Sequence, residues 1–82
     1  MFAELVRGLT HDQKVALYAR RISPGLIGDW KNARRLPTEV QVVDVAEVTG
    51  ADWAELQKEI TVMRAPEERR ADIARALHWR RR

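Results

Sequence analysis

Apolar residues recur every three or four positions along this chain, in short blocks separated by turn residues, which is the periodicity of amphipathic helices. Phe2, Leu5, Val6 and Leu9 make the first block, and Gly8 helps to close it, so a helix is expected over about residues 2–8. Thr10-His11-Asp12-Gln13 is a capping-box pattern opening a second helix over about 11–20. Ser23-Pro24 is a third start signal: Ser caps, and Pro takes the first helical position, where its missing N–H costs nothing. That helix should run to about Ala33, with Leu26, Ile27 and Trp30 along one side. Thr38-Glu39-Val40-Gln41 repeats the capping box, and Gly50 supplies the stop, giving a fourth helix over about 38–49. The valine-rich stretch from Val40 to Val48 is the one competitor for a strand. Its apolar set (Val42, Val45 and Val48 with Val43 and Ala46) nevertheless keeps helical spacing. Asp52 caps a fifth helix over about 52–64, with Trp53, Leu56, Ile60 and Met63 at core spacing. Ala65-Pro66-Glu67 restarts the chain as a sixth helix over about 66–80, with Ile73, Ala74 and Leu77 inward. The expected fold class is all-α: one domain over residues 1–82, a compact bundle of five to six short helices on tight turns.

Composition narrows the partners. A chain of 82 residues buries only about 60–65% of the surface its unfolded form exposes. There is no cysteine, so neither a disulfide nor a thiolate metal site supports it. Nothing resembles a signal peptide or a membrane span, and the expected location is cytoplasmic with no membrane partner. Net charge is only +3, but it is unevenly placed. Arg20, Arg21, Lys31, Arg34 and Arg35 stand against the single acid Asp29, and the chain ends Arg80-Arg81-Arg82, whereas acids gather between Glu39 and Glu59. A basic patch on a nearly balanced protein suits a polyanion at one face. An ordinary solvated surface accounts for the same charges equally well.

No catalytic set is visible. His11 and His78 are the two histidines, far apart in sequence and without cysteine company. Glu67-Glu68 and the pair Asp44 and Glu47 read as helix-surface charges rather than as general acid and base. There is no Gly-rich phosphate loop. The expectation is no enzyme, no metal and no cofactor.

The stretch from Ile22 to Pro37 resembles the second half of the helix-turn-helix in phage repressors of the Cro/λ-repressor class. In that resemblance Ile22 follows the turn, Ser23 caps, Ile27 is the buried anchor and Trp30 packs on the second helix. Lys31-Asn32-Ala33-Arg34 stands where the family often has Asn-Gly-Arg. The segment Met63-Arg64-Ala65-Pro66-Glu67-Glu68-Arg69-Arg70-Ala71 is similar to the tail of small helix-turn-helix proteins of phages and prophages, including filamentous phages. Together the likeness covers about residues 2–80, with the motif itself at about 11–33. It implies a λ-repressor-like domain with a C-terminal helical extension, binding double-stranded DNA as a transcriptional regulator that occupies an operator.

The first half of the motif fits in two registers. Without a gap, Arg20 falls at a normally apolar position, Arg21 at the turn glycine, and Gln13 where many members place a phosphate-binding Gln. One extra turn residue instead makes Val15, Ala16 and Ala19 the inward set and Arg20-Arg21 the turn. The second register is preferred, because it keeps Arg20 out of a small core.

In the family the third helix enters the major groove N-terminal end first. Here its outward positions are Ser23, Pro24, Gly25, Gly28 and Asp29, which offer little paired hydrogen bonding to base edges. Lys31 is the one long donor, and it lies late. Phosphate contacts are better supplied by Arg20, Arg21, Asn32, Arg34 and Arg35. The expectation is therefore salt-dependent affinity with selectivity drawn partly from DNA shape. The same depleted face suits an alternative: a helix-turn-helix-derived protein-interaction module, such as an antirepressor or host-factor inhibitor. The resemblance also implies a homodimer, placed through the fifth and sixth helices with Ile73, Leu77 and Trp79 at the interface.

Overall fold

The computed structural model describes residues 1–79, with side chains through Leu77. It is all-helical: α1 Phe2–Arg7, α2 His11–Ala19, α3 Pro24–Lys31, α4 Glu39–Thr49, α5 Trp53–Arg64 and α6 Arg70–Trp79, with a 3₁₀ turn at Glu67–Arg69. The start signals act as their chemistry dictates. Both capping boxes close: Thr10 Oγ1 accepts the Gln13 N–H at 3.2 Å while Gln13 Oε1 accepts the Thr10 N–H at 2.9 Å, and Thr38 with Gln41 does the same. Asp52 accepts the Ala54 and Glu55 N–H groups. Gly50 ends α4 with φ of 76°, a left-handed conformation that glycine adopts without strain.

One apolar core joins five helices. Phe2, Val6 and Leu9 meet Leu17, Ile22, Ile27 and Trp30 from the middle of the chain, and Val42, Val45, Ala46, Leu56 and Ile60 from α4 and α5. Among the described residues no polar or charged residue is fully buried. The Phe2 and Trp30 rings meet edge to face, with centroids 5.5 Å apart. An α5 carboxylate closes α1: Glu59 accepts the Phe2 N–H at 2.8 and 3.2 Å.

Four sequence expectations need correction. First, the inward residue of α2 is Leu17, which is fully buried, whereas Val15 is 48% exposed and Ala19 is also exposed. The turn has no extra residue. Arg21 itself adopts the left-handed conformation, φ 67°, at the position where the ungapped reading puts the turn glycine. Arg20 stays out of the core by reaching α4 at the surface. Second, the ring that Trp30 meets edge to face is Phe2 of α1, a partner beyond the expected second helix. The main packing pairs of this region are α1 with α3 and α2 with α4. Third, Trp53 and Met63 are exposed, at 43% and 37%, so α5 turns only Leu56 and Ile60 fully inward. Fourth, Glu67–Arg69 forms a 3₁₀ turn and the last helix begins at Arg70. Arg70 explains that break: its guanidinium donates to the Met63 and Ala65 carbonyls, closing α5 from the far side of Pro66.

Beyond this core α6 rests on α5 and the 3₁₀ turn, with Ile73, Ala74 and Leu77 only half-buried. The radius of gyration, 13.2 Å, exceeds the ~12 Å of a compact chain this size, as a helix leaning out from the bundle requires. Among the described residues no helix is long and apolar enough to cross a membrane.

Candidate nucleic-acid interface

The third helix is held by its ends and by one face. Ser23 Oγ accepts the Leu26 N–H at 3.1 Å, and Pro24 follows at the first helical position. Ile27 and Trp30 are buried and Leu26 is half-buried, which fixes the rotation of the helix. The other side carries almost no side chain. Ser23, Pro24 and Gly25 are exposed. A Cβ at Gly28 would meet no atom within 4 Å, and one at Gly25 would meet only Ser23 Oγ at 3.9 Å. Packing inside the protein therefore does not require either glycine. Each costs the helix about 1 kcal/mol relative to Ala. What they leave is bare main chain facing outward.

The exit of α3 is a Schellman turn. Ala33 takes a left-handed φ of 56°, its N–H reaches the Trp30 carbonyl at 3.2 Å, and the Arg34 N–H reaches the Asp29 carbonyl at 2.9 Å. Asn32 Nδ2 adds a bond to the Gly28 carbonyl at 3.0 Å. The turn sends Arg34 and Arg35 back beside the helix, where Asp29 meets both: Oδ1 lies 3.8 Å from Arg34 Nη1, and Oδ2 lies 3.6 Å from Arg35 Nε. Both arginine side chains remain 71% exposed. Lys31 is half-buried in the last turn of α3. Arg7 joins it across the α1–α3 contact, donating from Nη2 to the Lys31 carbonyl at 3.3 Å. Arg7, Lys31, Arg34 and Arg35 thus gather at the C-terminal end of α3, where the helix dipole also favours cations.

The start of the helix is less generous. Arg20 Nη1 lies 3.1 Å from Asp44 Oδ1 and 3.1 Å from Glu47 Oε2 on α4. Its hydrogen bond to Glu47, then that to Asp44, push its pKa further up. Its charge is already matched within the chain. Arg21 is exposed and makes no ion pair among the described residues. Gln13 is committed through Oε1 to its capping box.

Of the sequence-predicted contacts, Ser23, Pro24, Gly25, Gly28, Asp29, Lys31, Asn32, Arg34 and Arg35 therefore share one helix and its exit. Arg21 lies at the start of that unit, while Arg20 and Gln13 are turned to internal partners. Arg7 escaped sequence reasoning because it stands far upstream of the charged run, and only the packing of α1 on α3 brings it near. Its position in the last turn of α1, after the buried Val6, is the one sequence signal that it sits at the surface. The interface residues proposed for self-association divide differently: Ile73 and Leu77 lie on α6, and the side chain of Trp79 falls outside the described residues.

Among the described residues no group of three His, Asp or Glu side chains is placed to hold a metal ion. No family model matches this chain, and no curated protein or solved structure matches it. The likeness to phage helix-turn-helix proteins rests on the quoted residues alone.

Proposed function

We propose that this protein binds double-stranded DNA through the outward face and basic exit of α3, as a regulator of the phage-repressor type. The observation that carries the reading is the gathering of Arg7, Lys31, Arg34 and Arg35 at one end of a helix whose outward side is thinned by Gly25 and Gly28. Cations at the rim of an exposed helix can hold phosphates, while a slim helix admits close approach to a groove. Ser23 is the polar side chain available for base edges on the N-terminal part. Direct readout is accordingly modest, and groove shape carries much of any selectivity.

A homodimer would place two such helices on one duplex. Support comes from the half-buried apolar residues of α6 and from a groove of about 380 Å³ between α5 and α6, lined by Met1, Val62, Met63, Ala74 and Leu77 among others. The alternative protein-interaction role draws on a different surface: Val15 and Tyr18, 48% and 39% exposed, lie one turn apart on α2.

The test is selection of the full chain on random duplex DNA at low and moderate salt. Recovery of a palindrome is the result expected of a dimeric operator-binding regulator. Salt-sensitive capture without a motif reduces the reading to non-specific DNA binding. No capture at low salt overturns it and favours the protein-interaction role.

A further inference from the structure

Asp29 occupies an odd place for a protein that grips a polyanion. It stands on α3, between the bare outward face and the arginines that leave the helix. Its carboxylate is about 70% shielded, with 29% of the side chain exposed, and the left-handed turn at Ala33 folds Arg34 and Arg35 back to within 3.8 and 3.6 Å of it. The approach is close enough for charge attraction and too long for a hydrogen bond. The arginines, at 71% exposed, are held without being immobilised. Arg20, by contrast, is locked to two carboxylates at hydrogen-bond distance.

We infer that Asp29 is an internal counter-anion for Arg34 and Arg35, one that competes with DNA phosphate for the two arginines. The inference rests on the DNA-binding reading above. Its physical content is a competition. In the free protein one carboxylate partly neutralises two guanidinium groups. On generic duplex, a phosphate must outcompete it, and the freed carboxylate is left beside the DNA without a partner. Asp29 thereby weakens binding to unselected DNA. A loose surface pair is worth up to about a factor of five, enough to tilt this balance and too little to abolish the grip.

The experiment is a mutant cycle on the full chain, read by anisotropy of a labelled random-sequence duplex at low salt. It compares wild type, Asp29→Asn, Arg34→Ala/Arg35→Ala, and all three substitutions together. Circular dichroism of each variant confirms that the helices persist. The expected result is that Asp29→Asn tightens binding about fivefold in the wild-type background and much less once both arginines are gone. Equal tightening in both backgrounds would mean that Asp29 merely repels DNA, and it overturns the inference. DNA binding that is indifferent to Asp29→Asn also overturns it, while the DNA-binding reading stands. Absence of binding by wild type and Asp29→Asn alike overturns both.

Discussion

Among the described residues, two non-glycine residues sit in the left-handed region, and they bracket α3: Arg21 at φ 67° before it and Ala33 at φ 56° after it. Each closes a helix by a Schellman turn, where glycine is the unstrained choice. Ala33→Gly should therefore stabilise the fold by about 1 kcal/mol, a rise in Tm of about 4–8 °C for a domain of this size, measured by thermal melting. Arg21→Gly should stabilise similarly yet weaken DNA binding, because it removes an exposed cation that no internal acid engages. If stability and affinity move together at Arg21, the strain there has no functional counterpart. Much at this scale was legible in sequence. Ser23, Pro24, Ile27 and Trp30 announce a capped helix with one buried side. Arg20 was not legible, because nothing local to it says that Asp44 and Glu47 lie across the core on α4. Trp30 Nε1 is buried without a hydrogen-bond partner, a tension that apolar patterning does not reveal.

Helix starts were written plainly, since Thr-x-x-Gln and Ser-Pro act through neighbours in the chain. Helix partners were not. An extra turn residue would keep Arg20 out of the core and turn Val15 and Ala19 inward. The chain solves that problem differently, by swinging Arg20 to the surface of α4 and burying Leu17. The two arrangements separate cleanly by mutation. Leu17→Ala should cost about 2–5 kcal/mol in urea denaturation, while Val15→Lys should stay within about 0.5 kcal/mol. The reverse ranking would restore the rejected register. The fifth helix teaches the same lesson in milder form. Trp53 and Met63 keep core spacing with Leu56 and Ile60, yet they flank the buried stripe rather than fill it.

At the scale of the molecule, charge is sorted by helix. The acids Asp44 and Glu47 on α4 take up Arg20, while Arg7, Lys31, Arg34 and Arg35 crowd the exit of α3. The bundle of α1 to α5 closes one core, and α6 leans on α5 with a groove beside it, where Met1, Val62, Met63, Ala74 and Leu77 are joined by Glu55, Lys58 and Glu59. A second copy covering that groove is the proposed dimer. Light scattering at tens of micromolar should give twice the chain mass, and Leu77→Glu should return it to the monomer mass. A monomer for the unmodified chain contradicts the dimer without touching the α3 surface. The helix count and order could be read from periodicity, but the pairing of α1 with α3, which completes the basic cluster, depends on contacts no local pattern encodes. The most direct measurement is the salt dependence of binding to a random-sequence duplex between about 50 and about 200 mM salt, for wild type and Arg34→Ala/Arg35→Ala. With about four to five phosphates held, log K should fall against log salt with a slope near −4, and the double variant should bind more weakly with a slope shallower by about 2. Equal affinity and equal slope for the two proteins would contradict the claim that α3 and its exit grip DNA.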